Sequence, residues 1–321
     1  MTEEQLLAAI NRVAMKKEPH VDLSGARLKA FPVPLLNIVE SGLLQGITAL
    51  ELSDNEIGEL PAAVDCFGQL EELSLARNRL AALPRMPRLA ASLHTLRLGH
   101  NSLEAFPEAL CEMRQLRVLE LQYNRIAALP PAIGQMQALR LLNVAANRIA
   151  ELPADLFFLP GLAFVQASAN LLRALPASLP SCGSLVKLAV QDNEALRELP
   201  EGLGECSLLQ ELRCSGTAIT ELPLSLADLP ELCTLTIDGP VVVSKEAVAA
   251  GTAGIVKYLD MLQRFEVKRF NSQGHWEADD AAARCRGCKA DFGLFKRRHH
   301  CRLCGGVYCR ECLVGVFSHP R

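Results

Sequence analysis

The sequence lacks the features that mark secreted and membrane-spanning chains. None of its apolar runs approaches the roughly 18 residues that a membrane-spanning helix needs. The first residues, Met1-Thr2-Glu3-Glu4, have neither the basic start nor the apolar core of a secretory signal. We therefore expect a cytoplasmic protein, whose cysteines stay reduced and are not a disulfide framework.

A strong charge of one sign is also missing, because the formal net charge of the 321 residues is −3. A balance this small gives no reason to expect nucleic acid as a partner. The charge is uneven, however. Positions 271–321 hold nine Lys and Arg against five Asp and Glu, whereas positions 1–270 hold 24 against 31. Any anionic partner should therefore meet the C-terminal tail.

An internal repeat dominates the sequence. Most units follow the pattern L-x-x-L-x-L-x-x-N-x-L-x-x-L-P, and a degenerate first unit begins at Val21, which makes about ten units. The interval between openers is constant except from Leu185 to Leu209, where it is longer by one. Since one unit cannot bury its apolar edge alone, the units are expected to stack on a shared core. The openers are Ile47, Leu70, Leu93, Leu116, Leu139, Leu162, Leu185, Leu209 and Leu232.

The residues of the pattern have separate structural roles. The L-x-L alternation turns two side chains of a short strand inward and the intervening ones outward. The Asn can hydrogen-bond backbone groups that the turn after the strand leaves unpaired. The Leu-Pro step stops regular helix and favours an extended return segment. The pattern resembles leucine-rich repeats of the Scribble and plant intracellular Ras-group type, which implies an α/β solenoid with a curved parallel sheet over residues 21–240.

Helical patterns flank the repeats, where a solenoid needs caps. Residues 1–20 have apolar residues at helical spacing and predict an N-terminal helical cap. Residues 241–270 contain a sequence from Gly251 that looks like the G-T-x-x-I-x-x-Y-L element closing such repeats in related proteins. We expect a C-terminal helical cap there, followed by a separate small domain over residues 271–321.

The outward strand positions are the usual binding surface of such a solenoid. Most are mixed in charge, but Val118, Leu141 and Phe164 fall on successive strands, with Tyr123 close by. Neighbouring exposed apolar residues suggest a docking patch for an unidentified protein. An ordinary solenoid surface without a partner is the alternative. Nothing in the repeats resembles a catalytic site, so we expect no enzymatic activity.

Half of the twelve cysteines are clustered near the C-terminus, with the spacing C-x2-C-x12-C-x2-C-x4-C-x2-C. A C-x-x-C pair places two thiolates on one knuckle and supplies half of a tetrahedral zinc site. Three such pairs therefore predict Zn²⁺ binding. The other six cysteines are scattered and fit small buried or surface thiols. The clustered cysteines are Cys285, Cys288, Cys301, Cys304, Cys309 and Cys312.

The residues around these pairs narrow the identity of the zinc module. Trp276 begins a W-x-x-D sequence that ends at Asp279, and residues 297–302 read R-R-H-H-C-R. With the zinc knuckles, these motifs resemble the FYVE domain, a family that recognises phosphatidylinositol 3-phosphate on endosomal membranes. A rigid cluster of arginines and histidines offers several charge-assisted hydrogen-bond donors to a phosphate monoester.

The resemblance implies a role for each residue of the motifs. In that family the first and third knuckles share one zinc, which gives a complete site of Cys285, Cys288, Cys309 and Cys312. The implied phosphoinositide-binding residues are Asp279, Arg297, Arg298, His299, His300 and Arg302. Leu294 and Phe295 fall where the family has its membrane-inserting loop, and a place in the core of the small domain is the alternative.

One part of the family pattern is missing. The sequence has neither a fourth knuckle nor the R-V-C sequence that precedes it, so Cys301 and Cys304 form at most an incomplete second zinc site. A truncated module and a degenerate module with weakened lipid binding both fit this pattern.

Together these features predict a non-enzymatic adaptor. The zinc module would hold it peripherally on endosomal-type membranes, and the repeats would recruit a protein. Because one such module binds weakly alone, a homodimer or a second contact is expected. Two alternatives remain: a RING-like module that recruits a ubiquitin-transfer enzyme, and a protein-binding scaffold whose zinc finger no longer binds lipid.

Overall fold

A ten-stranded parallel sheet runs through the described part of the chain in a computed structural model. The structure describes residues 19–40, 46–238 and 241–271, the helical residues Gln5, Ala8 and Met15, and the segments 299–300 and 307–308. The ten strands pair in chain order, which confirms the predicted solenoid of about ten repeats. They are β1 His20–Asp22, β2 Ala49–Glu51, β3 Glu72–Ser74, β4 Thr95–Arg97, β5 Val118–Glu120, β6 Leu141–Asn143, β7 Phe164–Gln166, β8 Lys187–Ala189, β9 Glu211–Arg213 and β10 Thr234–Thr236.

The chain returns from strand to strand mainly through 3-10 helices. Pro130 shows how the Leu-Pro step works: its backbone is extended, with φ −75° and ψ 150°, and a 3-10 helix begins directly after it. In the third repeat a short α-helix, α2 Leu89–Ser92, replaces the 3-10 helix. The 3-10 helices are Ala62–Cys66, Glu108–Glu112, Pro131–Gln135, Ala154–Phe158, Leu179–Ser181, Glu201–Glu205 and Leu224–Asp228.

The apolar positions of the repeat form one continuous core. In the fifth repeat the side chains of Leu116, Leu119, Leu121 and Ile126 are 0% exposed, and the corresponding residues of the neighbouring repeats pack on both sides. Each buried side chain of this size contributes about 1.5–3 kcal/mol relative to an exposed one. The stacked core therefore holds the strands at fixed positions.

The asparagines of the repeat join each unit to the one before it. The Asn147 side-chain amide donates to the carbonyls of Leu121, in the preceding repeat, and of Val144 and Ala145, in its own. Its Oδ1 accepts the N–H of Ile126, again in the preceding repeat, at 2.9 Å. The pattern predicts an asparagine bonded to its own turn, and the structure adds the bonds across the repeat boundary.

The longer unit, which begins at Leu185, keeps the link from Asn193 to the preceding repeat but receives no asparagine from the repeat that follows. Its extra residue lets the Leu196 N–H donate to the Asn193 carbonyl at 3.0 Å, so that N–H needs no side chain from the next repeat. The next repeat has Thr217 at the asparagine position, and its hydroxyl donates only to the Cys214 carbonyl in its own repeat. The irregular period and the missing asparagine therefore have one explanation, because the extra residue provides the acceptor that the asparagine provides elsewhere.

The connection between the first two units contains a helix that the repeat pattern does not predict. This helix, α1 Val33–Glu40, buries Leu35 and Leu36 against the start of the core. The first unit is degenerate, and its longer connection breaks the regular period on which the other elements are predicted.

Two helices follow the last strand. In α3 Lys245–Ala249 the Ser244 hydroxyl caps the first turn, and α4 Gly251–Asn271 follows. The Thr252 hydroxyl accepts the Leu235 N–H of the edge strand β10 at 2.9 Å. Such a bond occupies a strand N–H that would otherwise lack a partner strand. None of the described helices is long and apolar enough to cross a membrane.

Candidate functional site

The predicted patch contains a row of three apolar side chains on one face of the sheet. Val118 pairs with Leu141 and Leu141 with Phe164 in the register of β5, β6 and β7. Val118 and Leu141 are half-buried and Phe164 is 39% exposed, while the alternate strand positions point into the core. We call these three residues the apolar row.

Tyr123 lies apart from the apolar row. It comes three residues after β5 ends, and its ring stacks on that of His100 with centroids 4.1 Å apart and planes 13° apart. Both residues have a positive φ of 56°, which the repeat imposes on the residue before each asparagine. Tyr123 is still 56% exposed. The four residues of the predicted patch therefore form two features, the apolar row and an aromatic pair beyond the strand ends.

Two exposed arginines directly precede residues of the apolar row in the sequence, and the patch prediction did not include them. Arg117 directly precedes Val118, and Arg140 directly precedes Leu141. The two backbones are hydrogen-bonded, since the Arg140 N–H donates to the Arg117 carbonyl at 2.8 Å. Among the described residues, no carboxylate forms an ion pair with either arginine. By contrast, Arg97 of the preceding strand lies 3.6 Å from Glu72.

The other end of the row meets a cluster of two cations and one carboxylate. Lys187, which pairs with Phe164 in the register, has its Nζ 3.1 Å from a Glu211 carboxylate oxygen, and Arg213 contacts the same carboxylate. Desolvation disfavours the charged carboxylate, but the hydrogen bonds from Lys187 and Arg213 outweigh it, and the pKa of Glu211 lies below its ordinary value. Both cations here have a carboxylate partner, whereas Arg117 and Arg140 have none among the described residues.

The predicted metal and lipid residues lie outside the described residues, apart from the backbone of two histidines. His299 and His300 form strand β11, which pairs antiparallel with β12, Val307–Tyr308. The register joins His299 to Tyr308 and His300 to Val307. The undescribed residues are Cys285, Cys288, Cys301, Cys304, Cys309, Cys312, Asp279, Arg297, Arg298, Arg302, Leu294 and Phe295.

Comparison with known proteins assigns the two parts of the chain. The protein is similar in structure to the leucine-rich-repeat protein LIC12759 of Leptospira interrogans, with a TM-score of 0.52 and 20% identity over 71% of this chain and 81% of that one. Residues 275–320 match the family model for the FYVE zinc finger. The chain joins a leucine-rich-repeat fold to a FYVE zinc finger segment. Such a finger implies Zn²⁺ as a bound metal.

Curated relatives match short parts of the chain. Protein FREE1 of Arabidopsis thaliana is 54% identical over 41 residues, which are 13% of this chain and 7% of that protein. The 1-phosphatidylinositol-3-phosphate 5-kinase FAB1A of Arabidopsis thaliana is 36% identical over 77 residues, which are 24% of this chain and 4% of that protein. The chain thus spans less than a tenth of the length of either relative.

Proposed function

We propose that the protein is a non-enzymatic adaptor on membranes. The FYVE segment binds phosphatidylinositol 3-phosphate on endosomal-type membranes, and the leucine-rich repeats recruit a protein partner. In this proposal the protein is cytoplasmic and peripheral, and a homodimer or the repeat contact adds to the weak hold of a single lipid-binding module.

The observation that carries the proposal is the basic sequence R-R-H-H-C-R at residues 297–302, inside the matched FYVE segment. Arginine guanidinium groups suit a phosphate monoester because they donate two parallel hydrogen bonds and keep their charge. Asp279 of the W-x-x-D sequence completes the proposed headgroup site. Leu294 and Phe295 insert into the bilayer, where each buried side chain contributes about 1.5–3 kcal/mol.

Zinc holds this small module together in the proposal. Cys285, Cys288, Cys309 and Cys312 bind one Zn²⁺, and the remaining pair, Cys301 and Cys304, offers an incomplete second site.

Sedimentation with lipid vesicles tests the membrane half of the proposal. The full zinc-loaded chain should sediment with phosphatidylcholine vesicles that contain a few per cent phosphatidylinositol 3-phosphate, and much less with vesicles that contain phosphatidylinositol instead. The double variant Arg297→Ala, Arg298→Ala should lose about tenfold or more in affinity, since two charge-assisted contacts are removed.

The matched control removes two positive charges outside the motif, with Lys268→Ala and Arg269→Ala, and should bind within about twofold of the parent chain. Stripping the zinc with a chelator should abolish specific binding, because small zinc modules fold on their metal. Equal sedimentation with both vesicle types would overturn the lipid assignment and favour a protein-binding scaffold whose zinc finger does not read lipid.

A further inference from the structure

We infer that the apolar row and the two arginines beside it form a docking site for a short acidic and apolar peptide segment of a partner protein. This inference rests on the proposed recruitment of a protein by the repeats and adds the chemistry of that partner. Its elements are the apolar row Val118, Leu141 and Phe164, and the arginine pair Arg117 and Arg140.

The apolar row supplies the first half of the recognition. The three side chains lie on adjacent strands in register, and Phe164 remains 39% exposed among the described residues. Neighbouring strands of a sheet are about 4.8 Å apart, so the row extends about 10 Å. Partly exposed apolar residues at this spacing fit two or three apolar side chains of an extended peptide.

The arginine pair supplies the second half. Arg117 and Arg140 are exposed, adjacent and without an ion-pair partner among the described residues, although most charged residues on the neighbouring strands are paired. Each is the sequence neighbour of an apolar residue of the row. Two like charges held side by side favour an anionic partner. An Asp or Glu next to an apolar residue of the peptide satisfies both requirements at once.

The net negative charge of the repeats on either side of the arginine pair limits the length of an anionic partner. Residues 116–184 carry five arginines against three carboxylates. Residues 47–92 carry four basic residues against seven acidic ones, and residues 185–238 carry three against ten. A nucleic acid or an anionic bilayer would extend past the three central repeats and meet these acidic flanks. A short peptide keeps its negative charge over the central repeats, and this favours a peptide over both.

Selection from a displayed library of random dodecapeptides, with the full chain immobilised, tests the inference. Enriched peptides should combine Leu, Ile, Phe or Trp with Asp or Glu. One enriched peptide, resynthesised with a fluorescent label, should bind about tenfold or more weakly to Arg117→Glu, Arg140→Glu and to Leu141→Ser, Phe164→Ser. Its affinity should also fall as NaCl rises from about 0.05 to about 0.5 M.

The matched control reverses two exposed arginines of the return segments, Arg88→Glu and Arg114→Glu, and should bind within about twofold of the parent. A peptide with Lys in place of its acidic residues should bind better to the Arg117→Glu, Arg140→Glu chain than to the parent. Such rescue requires a folded variant and direct contact. Thermal unfolding by circular dichroism should show that every variant is folded.

Several results would overturn the inference. These are a selection that enriches no peptide, enriched peptides that lack acidic residues, and a peptide affinity that is unchanged in both double variants. Loss of vesicle or duplex DNA binding in the arginine variant, without loss of peptide binding, would assign the pair to a membrane or a nucleic acid. The vesicle assay with Arg297→Ala, Arg298→Ala is independent of these outcomes. A failed peptide selection beside intact lipid binding therefore removes this inference and leaves the lipid half of the proposed function standing.

Discussion

Replacement of Asn147 by alanine measures what the asparagine link contributes to the stacking of repeats. The Ile126 N–H loses its acceptor outright, because it donates to Asn147 Oδ1 at 2.9 Å and the group is buried. The carbonyls of Leu121, Val144 and Ala145 each lose one donor but keep another, which comes from the side chains of Asn124 and Asn170 and from the Tyr123 N–H respectively. The four losses are therefore unequal.

These losses set the expected destabilisation. A buried donor left without an acceptor costs about 1–3 kcal/mol, and each of the three shared hydrogen bonds contributes about 0.5 kcal/mol. Asn147→Ala should therefore lower the free energy of unfolding by about 2.5–4.5 kcal/mol. That is a large part of the total stability of about 5–15 kcal/mol that is usual for a domain.

The control for this experiment lies in the same repeat. Asn143 stands half-buried on the outer face of β6, and its side chain accepts only the N–H of Ala145. Asn143→Ala should cost about 0.5–1 kcal/mol. Urea unfolding followed by circular dichroism gives both values from the midpoint and slope of each transition. A difference between the two variants of less than about 1 kcal/mol would show that the bonds across the repeat boundary contribute little.

Two further predictions concern backbone strain and buried thiols. Ala169 has a φ of 52°, a left-handed conformation that costs an alanine about 1–2 kcal/mol. Ala169→Gly should therefore raise the free energy of unfolding by about 0.5–1 kcal/mol, after the entropy of the unfolded glycine is subtracted. The control Ala150→Gly, at a position outside the left-handed region, should lower the free energy of unfolding in the same urea assay. Burial raises the pKa of the Cys206 and Cys214 thiols to about 12 each. Because the folded pKa values exceed the unfolded ones, the stability that these thiols contribute is present below about pH 8.5 and is lost as the pH rises toward 12. Urea unfolding between about pH 8 and 10.5 should therefore show a steeper loss for the parent than for Cys206→Ala, Cys214→Ala, and parallel curves would contradict this.

The repeated elements could be predicted well from the sequence because the same residue pattern recurs in most repeats. The strands follow from the leucine spacing, and a single side chain such as Leu119 occupies the same buried position as its equivalents in neighbouring repeats. Helix α1 escaped prediction because it occurs once, in the unit that departs from the period. The role of Thr217 was not predicted for the same reason, since the replacement of asparagine at this position depends on an extra residue one repeat earlier.

The candidate site was predicted less completely, for a geometric reason. Register places Val118, Leu141 and Phe164 side by side, and register can be read from a regular repeat. The stacking of Tyr123 on His100 depends on the backbone dihedrals of the residue before each asparagine, and these dihedrals cannot be read from the residue types. Whether an arginine is paired depends on where the carboxylates of other repeats lie. In the C-terminal segment, cysteine spacing predicts zinc ligands, but the number of zinc ions depends on contacts that spacing alone does not contain.

The asparagine link also gives the solenoid a direction of assembly. Each linking asparagine reaches back to the repeat already made: Asn147 closes the turn that contains Ile126, and Asn170 closes the turn that contains Ile149. A chain leaving the ribosome exposes its N-terminal repeats first. Each newly emerged unit that carries the asparagine therefore completes its predecessor, and this part of the array can grow during synthesis one repeat at a time, before its C-terminal end is made.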